Sequence, residues 1–385
     1  MSLQNLAFTI AEYTARVARA QAAMETAGLD AFLVNHRADV CYLTGIETGY
    51  MVAYHAAIVP AAGRPIIVAS DFEMLNARVG AWTPERESFP VANADPIAET
   101  CRILAARGFG HKRIGVQRST LTATRFDALR QHLPGAEFLD ASHLMDSLKV
   151  KKSPAEIAYL RQAASLTAQA MDAALRACAA DATDNDIAAV AFDAAVRGGS
   201  EFMCIDPIVT VGARSGIPHS TFRRTAIKPG DAIFIEIGAC ICRYSTPQMR
   251  TAAIAPVPDA IRRSANACRD SLNVLIEEMK PGAVGREIAQ KARQAWRAIS
   301  EELIWHGYYA YSVGIGFPPD WNDTPAAITV DSDLVLEPGM CFHATTSLRQ
   351  AGEYGTAMSE TVLITETGRE VLTLTPRELV VKGGS

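Results

Sequence analysis

The sequence predicts an α/β (α+β) chain of two domains, residues 1–150 and 151–385. Three observations predict it. At 385 residues the chain exceeds what a single hydrophobic core ordinarily fills. A short charged segment, Leu148–Ser153 (LKVKKS), separates two stretches of different organisation. Before it helix and strand patterns alternate, and after it two helices followed by strands occur twice over.

Taken in order, Thr9-Ile-Ala-Glu12 has the form of a capping box, a hydroxyl and a carboxylate three residues apart at a helix start. The helix it opens carries Tyr13, Val17, Ala20, Met24 and Ala27 at helical spacing and stops at Gly28. An apolar strand follows at Ala31–Val34, then the segment Val40–Gly45. Ala56–Val59 and Pro65–Ala69 form a hairpin around Gly63. Helices over Ala94–Arg107 and Thr122–His132 alternate with short strands at Arg113–Val116 and Glu137–Leu139. This first domain has no glycine-rich phosphate loop and no cluster of metal-ligand residues.

Beyond the charged segment, Ser153-Pro-Ala-Glu156 is a second capping box, with proline at the first helical position. Its helix runs through Ile157, Leu160, Ala164, Met171 and Leu175, and another covers Asp184–Arg197. A strand at Met203–Val211 leads into the loop Gly212–Pro218 and His219. Long helices over Asp259–Met279 and Gly285–Ile304 then precede the turn-rich stretch Gly314–Asp323. Strands follow at Met340–Thr346, Glu360–Thr365 and Leu379–Val381, with a Lys-Gly-Gly-Ser tail expected to be disordered. The repetition suggests two half-repeats, strands forming a curved sheet with helices on its outer face.

Lys228-Pro-Gly-Asp231 is a turn, and the strand after it is expected to run to a second turn at Ser245–Pro247. Alternation puts Phe234, Glu236 and Gly238 on one face and Ile233, Ile235 and Ile237 on the other. The isoleucine face is core. A carboxylate in so apolar a strand is expensive to bury unless something pairs with it. Glu236 is therefore either salt-bridged at a sheet edge or a working carboxylate.

Composition excludes several classes. Apolar residues at 49% and charged residues at 21% describe an ordinary globular protein. A net charge of −5 argues against nucleic acid or an anionic membrane as the main partner. No apolar run reaches spanning length, and the first residues lack a basic region followed by an apolar stretch. Eight cysteines in largely apolar contexts fit reduced thiols and a cytoplasmic setting. Cys240-x-Cys242 has the wrong spacing for a metal or redox pair and no second pair to join it.

Five landmarks stand out in the second half: Ile217-Pro-His219, Pro229-Gly-Asp231 with Glu236, Arg250-Thr251, Pro338-Gly-Met340 and Ser359-Glu-Thr-Val-Leu-Ile-Thr365 with Gly368. On these, residues 153–379 resemble the creatinase, prolidase and methionine aminopeptidase superfamily. Tyr42-Leu-Thr-Gly45 makes the first half similar to the smaller domain of creatinase and prolidase. The resemblance implies a creatinase-like α/β domain over 1–150 and a pita-bread catalytic domain over 151–385. The superfamily's metallopeptidases hold two metal ions with Asp, Asp, His, Glu and Glu. Those positions carry over to Glu236, Pro247, Val313, Thr345 and Glu360. Proline and valine have no donor atom and a lone threonine hydroxyl is a poor ligand, so no metal and no cofactor is expected. Asp320 occupies the position of a substrate-handling histidine. His219, seventeen residues before Glu236, keeps the place of a proton-transferring histidine.

Among metal-free members, the segment Gly314-Ile-Gly-Phe-Pro-Pro-Asp-Trp321, Arg243-Tyr244 with Pro247, and Pro376-Arg-x-Leu379 resemble ectoine hydrolases. The stretch Thr345–Met358 departs from them in carrying only Tyr354 where they are richer in tryptophan. The resemblance implies hydrolysis of a non-peptide C–N bond in a small cyclic amidine, with a creatinase-like guanidino hydrolase or a non-catalytic pita-bread binding protein as alternatives. Amidinium and guanidinium are planar cations that carboxylates grip through paired hydrogen bonds. Glu236 and Glu360 are expected to meet near the sheet centre as catalytic carboxylates. Glu236 attacks the amidine carbon or activates water there, and His219 moves the proton. His343, Tyr244, Asp320 and Trp321 are candidate substrate contacts. Tyr54 and His55 are further ones, because in creatinase-like homodimers that region reaches toward the partner's active site. Arg243 and Arg214 are the candidates for neutralising the carboxylate of a small zwitterionic substrate.

Overall fold

The computed structural model describes residues 6–297, 303–305 and 307–383. It divides into two compact units, Met1–Lys149 and Val150–Ser385.

The first unit is built from α1 (Ile10–Thr26), β1 (Ala31–Val34), α2 (Arg37–Thr44), β2 (His55–Pro60), β3 (Ile66–Ser70) and α3 (Met74–Gly80). It continues through β4 (Arg86–Phe89), α4 (Pro96–Ala106), β5 (Arg113–Val116), α5 (Ala123–His132), β6 (Glu137–Asp140) and α6 (Asp146–Lys149). Its mixed sheet has the order β4-β3-β2-β1-β5-β6. The apolar residues of β1, β2, β3 and β5 form the core with α4 and α5. Thr9 caps α1 by accepting from the Glu12 N–H at 3.2 Å. The box closes on that side alone, because the Glu12 carboxylate accepts from Arg16 Nε at 3.2 Å. Val40–Gly45 lies in a helix, α2, which Gly45 ends at φ 80°. The helix α3 and strand β4 are additions to the elements expected from sequence.

In the second unit, α7 (Pro154–Ala177) starts on a complete capping box. The Ser153 hydroxyl accepts from the Glu156 N–H at 3.3 Å, and the Ser153 N–H donates to the Glu156 carboxylate at 2.8 Å. Next come α8 (Asp184–Arg197), β7 (Ile208–Val211), β8 (Ala232–Ile241) and β9 (Tyr244–Ile254). The second half-repeat comprises α9 (Asp259–Glu278), α10 (Gly285–Arg297), β10 (Ile304–Trp305), β11 (Ala310–Phe317), β12 (Asp320–Ile328), β13 (Cys341–Gln350) and β14 (Tyr354–Ile364). β15 (Arg369–Val371) and β16 (Val380–Lys382) complete it. The main path of the sheet is β15-β14-β13-β11-β9-β8-β7. Ile233, Ile235 and Ile237 of β8 pack into one core with α7 and α8. Phe342, Ala344, Met358 and Val362 of β13 and β14 pack into the other with α9 and α10. Helices therefore cover one face of the sheet, and the opposite face is left to build a site.

Four expectations change. The hairpin of β8 and β9 turns at Cys242-Arg243, not at Ser245–Pro247, which lies inside β9 with Pro247 opposite Gly238. Both turn residues are left-handed, at φ 49° and 68°. Glu201 holds them there, its carboxylate accepting from the Cys242 N–H at 2.9 Å and the Arg243 N–H at 3.2 Å. Gly314–Asp323 is the tip and flanks of the β11–β12 hairpin rather than a loop. The long helix is described as far as Arg297, and Ile304 belongs to β10, not to a helix; residues 298–302 lie outside the described residues. Lys382 of the tail is in β16, and residues 384–385 lie outside them too.

Candidate active site

On the sheet face away from the helices is a cleft of about 630 Å³. Phe234 and Glu236 of β8 and Met249 of β9 form its floor, and Ser347 and Arg349 come from β13. Tyr311 enters from β11, Asp320 and Trp321 from the tip of the β11–β12 hairpin, and His219 from the loop before β8. Register accounts for the floor: Glu236 stands directly opposite Met249, so both share a face. Residues 343, 345, 347 and 349 lie on one face of β13 by the same alternation.

Glu236 is 7% exposed and no described residue donates a hydrogen bond to its carboxylate. Burial pushes its carboxyl group up to about 7, with the nearby Arg349 guanidinium pulling the other way. Arg349 donates through Nη1 to the Ser215 carbonyl at 2.6 Å and lies over the Phe234 ring at 4.4 Å. Nη1 also reaches the Ile217 carbonyl at 3.4 Å, and Nε and Nη2 have no acceptor among the described residues. The Oγ atoms of Thr210 and Ser347, both in the cleft wall, are buried without a partner. A cleft holding one unpaired carboxylate, one half-free guanidinium and two unpartnered hydroxyls is built for a polar ligand.

His219 is exposed, at φ 55°, and makes no hydrogen bond with a described residue. Trp321 is 3% exposed and packs against Gly238, where an added Cβ would come within 2.9 Å of the ring. Only glycine at 238 lets the indole close that end of the cleft. Asp320 is exposed and caps the Asn322 N–H at 2.9 Å.

The structure separates other expected residues from the cleft. Glu360 does not meet Glu236. It shares the helix-facing side of β14 with Met358 and Val362, so the two carboxylates lie on opposite faces of the sheet. There Glu360 accepts from Arg250 Nη2 at 2.5 Å, from Gln248 Nε2 at 2.9 Å and from the Thr373 hydroxyl. Tyr244 is fully buried and donates to Glu156 at 2.7 Å, fastening β9 to the start of α7. Arg243 is fully buried too, its guanidinium donating to the carbonyls of Phe202 at 2.7 Å and Gly316 at 3.1 Å. Arg214 Nη2 donates to the Thr221 carbonyl at 2.7 Å. His343 is buried behind the cleft wall, hydrogen-bonded to Tyr311 and Ser359 rather than lining the cavity. In the first unit, the Tyr54 hydroxyl is bonded to Thr100 at 2.9 Å, and His55 is buried against Glu73 at 3.2 Å. Their polar atoms are engaged within their own unit.

A sheet with helices on one face, two half-repeats and a cleft on the other face define a pita-bread fold of the prolidase type. The profile of metallopeptidase family M24 matches residues 158–366, and the creatinase/prolidase N-terminal domain matches residues 16–150. The chain belongs to metallopeptidase family M24, a family of hydrolases. It is 25% identical to the ectoine hydrolase of Halomonas elongata, over 98% of this chain and 99% of that protein. An uncharacterized hydrolase/peptidase of Sinorhizobium fredii is 28% identical over 98% and 99%. Among solved structures, the prolidase of Pyrococcus horikoshii superimposes with a TM-score of 0.84 at 21% identity, covering 95% of this chain and 100% of that one. The fold expected from sequence is borne out.

The family implies a two-metal centre, and the donor set tests it. Alternation places Glu236, Pro247, Val313 and Thr345 on the cleft side, and the residue of β14 that joins them is Ser359, opposite Thr345 in register. One carboxylate and two hydroxyls do not make a dinuclear cage. No group of three or more His, Cys, Asp or Glu side chains among the described residues is arranged to hold a metal. Elemental analysis of the purified protein is expected to find no stoichiometric manganese, iron, cobalt or zinc, with activity unchanged by chelators. One or two bound ions per chain would overturn this.

Among the described residues no helix is long and apolar enough to cross a membrane.

Proposed function

We propose that this chain is a metal-independent hydrolase that opens a small cyclic amidine carboxylate, ectoine or hydroxyectoine first among them, to an N-acetyl-diaminobutyrate-type product. The observation that carries the reading is the pairing, in one cleft, of the unpartnered Glu236 carboxylate with the half-free Arg349 guanidinium. That arrangement complements a zwitterion: amidinium at Glu236, carboxylate at Arg349. A peptide carbonyl, by contrast, needs an electrophile to polarise it, and the cleft offers no metal-ligand set to supply one. The amidinium carbon is electrophilic already. The likeness to an ectoine hydrolase over nearly the full length points the same way.

In this mechanism Glu236 attacks the amidine carbon and the C=N electrons move onto nitrogen. His219 protonates the ring nitrogen that leaves, the carbon stays bonded to the other nitrogen as an imidate of Glu236, and water adds to that carbon and displaces Glu236 to give the N-acyl product. Asp320 and Trp321 close the cleft over the ring. The working unit is a homodimer in the cytoplasm. Exposed Tyr50 and Val52, just before Tyr54, and eight cysteines all free of disulfides support that setting.

The test is a panel of ectoine, hydroxyectoine, creatine and Xaa-Pro dipeptides, followed by product mass. Addition of one water to a cyclic amidine is the expected result. Turnover of creatine alone would move the activity to guanidines, and turnover of the dipeptides alone would sink the proposal.

A further inference from the structure

Behind the cleft wall runs a hydrogen-bonded chain whose protons can be assigned. Tyr311 stands opposite His343 in register, and Ser359 lies on the same side of the sheet one strand further on. The main-chain N–H of Met249 donates to Ser359 Oγ at 2.6 Å, and the indole N–H of Trp321 donates to the Tyr311 oxygen at 3.1 Å. The His343 ring joins the two, with Nε2 2.6 Å from Ser359 Oγ and Nδ1 2.6 Å from the Tyr311 oxygen.

A neutral imidazole carries one N–H. If that hydrogen were on Nε2, it would point at Ser359 Oγ. The Ser359 hydroxyl hydrogen would then have no acceptor among the described residues, in a site with no exposure. With the hydrogen on Nδ1, Ser359 donates to Nε2 and Nδ1–H donates to the Tyr311 oxygen. Every buried polar hydrogen is then bonded. The one left over is the hydroxyl hydrogen of Tyr311, a half-buried residue that lines the cleft.

We propose that Tyr311 is a catalytic residue of this cleft, its oxygen pinned by His343 and Trp321 so that its O–H is presented to the reacting group of the substrate. The proposal rests on the hydrolase reading above. An amidinium nitrogen has no lone pair to accept that hydrogen. Addition at carbon moves an electron pair onto nitrogen and creates the acceptor. The hydrogen bond therefore forms as the carbon becomes tetrahedral, which lowers the barrier without tightening ground-state binding. Burial and the neighbouring Glu236 charge push the Tyr311 phenol well above its ordinary range, so it keeps its proton and serves as a fixed donor. Proton transfer stays with His219. His343 and Ser359 are positioning residues.

Two measurements decide it. In the wild-type protein labelled with ¹⁵N-histidine, with His343→Gln to assign the signal, His343 is expected to carry its hydrogen on Nδ1. Tyr311→Phe is expected to lower kcat about 10²-fold, the scale for loss of one such donor, with KM changed less than about threefold. A His343 ring protonated on Nε2, or a Tyr311→Phe kcat within about threefold of wild type, would overturn the proposal. The ring measurement needs no substrate. A silent substrate panel with Nδ1–H present would fault the substrate reading and leave the donor geometry supported.

Discussion

Glu236→Gln is expected to remove turnover and at the same time make the protein more stable. Loss of the nucleophile should cost at least about 10³-fold in kcat, since no other cleft carboxylate on the floor can replace it. The stability gain follows from linkage. Burial raises the folded-state value from 4.5 to about 7, so the folded protein holds this proton to higher pH than the unfolded chain does. The cost of ionising the buried carboxylate is absent below the unfolded value, grows as pH rises and is complete above about 7. It amounts to about 3 kcal/mol. Glutamine, which never ionises, is therefore expected to raise Tm by roughly 5–10 °C at pH 8 and to match wild type near pH 4. The same titration sets the acid limb of kcat/KM near pH 7, because only the carboxylate attacks. A bound amidinium cation favours that carboxylate, so the limb in kcat falls at lower pH. An E236Q protein with full activity, or with an unchanged Tm at pH 8, would remove Glu236 from its role.

Glu360→Ala is expected to do the reverse. Arg250 is fully buried, and Glu360 is its carboxylate partner at 2.5 Å. Removing it leaves an uncompensated guanidinium in the sheet, at a cost of about 3–5 kcal/mol. Tm is expected to fall by roughly 10 °C. At a temperature where the variant is folded, kcat should stay within a few-fold of wild type and the acid limb should not move. A stable but inactive Glu360→Ala protein would restore Glu360 to the chemistry.

These two glutamates show what the sequence reveals about the site and what it conceals. The face of Glu236 follows from strict alternation along one strand, Ile233 to Gly238, and so does its loneliness among isoleucines. His219, Asp320 and Trp321 sit in stretches whose spacing is local, and all three reach the cleft. Glu360 is placed by counting along the chain, but a shift of one residue turns a strand position to the other face, and only pairing with β13 settles which. Tyr244 depends on where the β8–β9 hairpin turns. That turn has no glycine and is held by Glu201, some forty residues earlier, a contact that no local pattern reveals. Arg349 and Tyr311 were within reach: Arg349 is an even number of residues from His343, and Tyr311 is two before Val313. The paired capping residues and the helix stop at Gly28 made the helical frame the more readable part. Helix α3 and strand β4 escape because their burial comes from neighbours, not from periodicity.

The cleft face carries Glu236, Pro247, Val313, Thr345 and Ser359, and that row would make a carboxylate metal cage hard to build by stepwise mutation. Each acidic residue restored alone would place a second buried carboxylate beside one whose ionisation is already resisted, with no cation yet able to bind. Pro247→Asp would in addition reopen a rigid strand position facing Gly238, under the Trp321 indole. Such single variants are expected to be less stable than this chain and to bind no metal. Acidic residues in this row are therefore expected to be tolerated only as a set able to bind a cation together, and not one at a time.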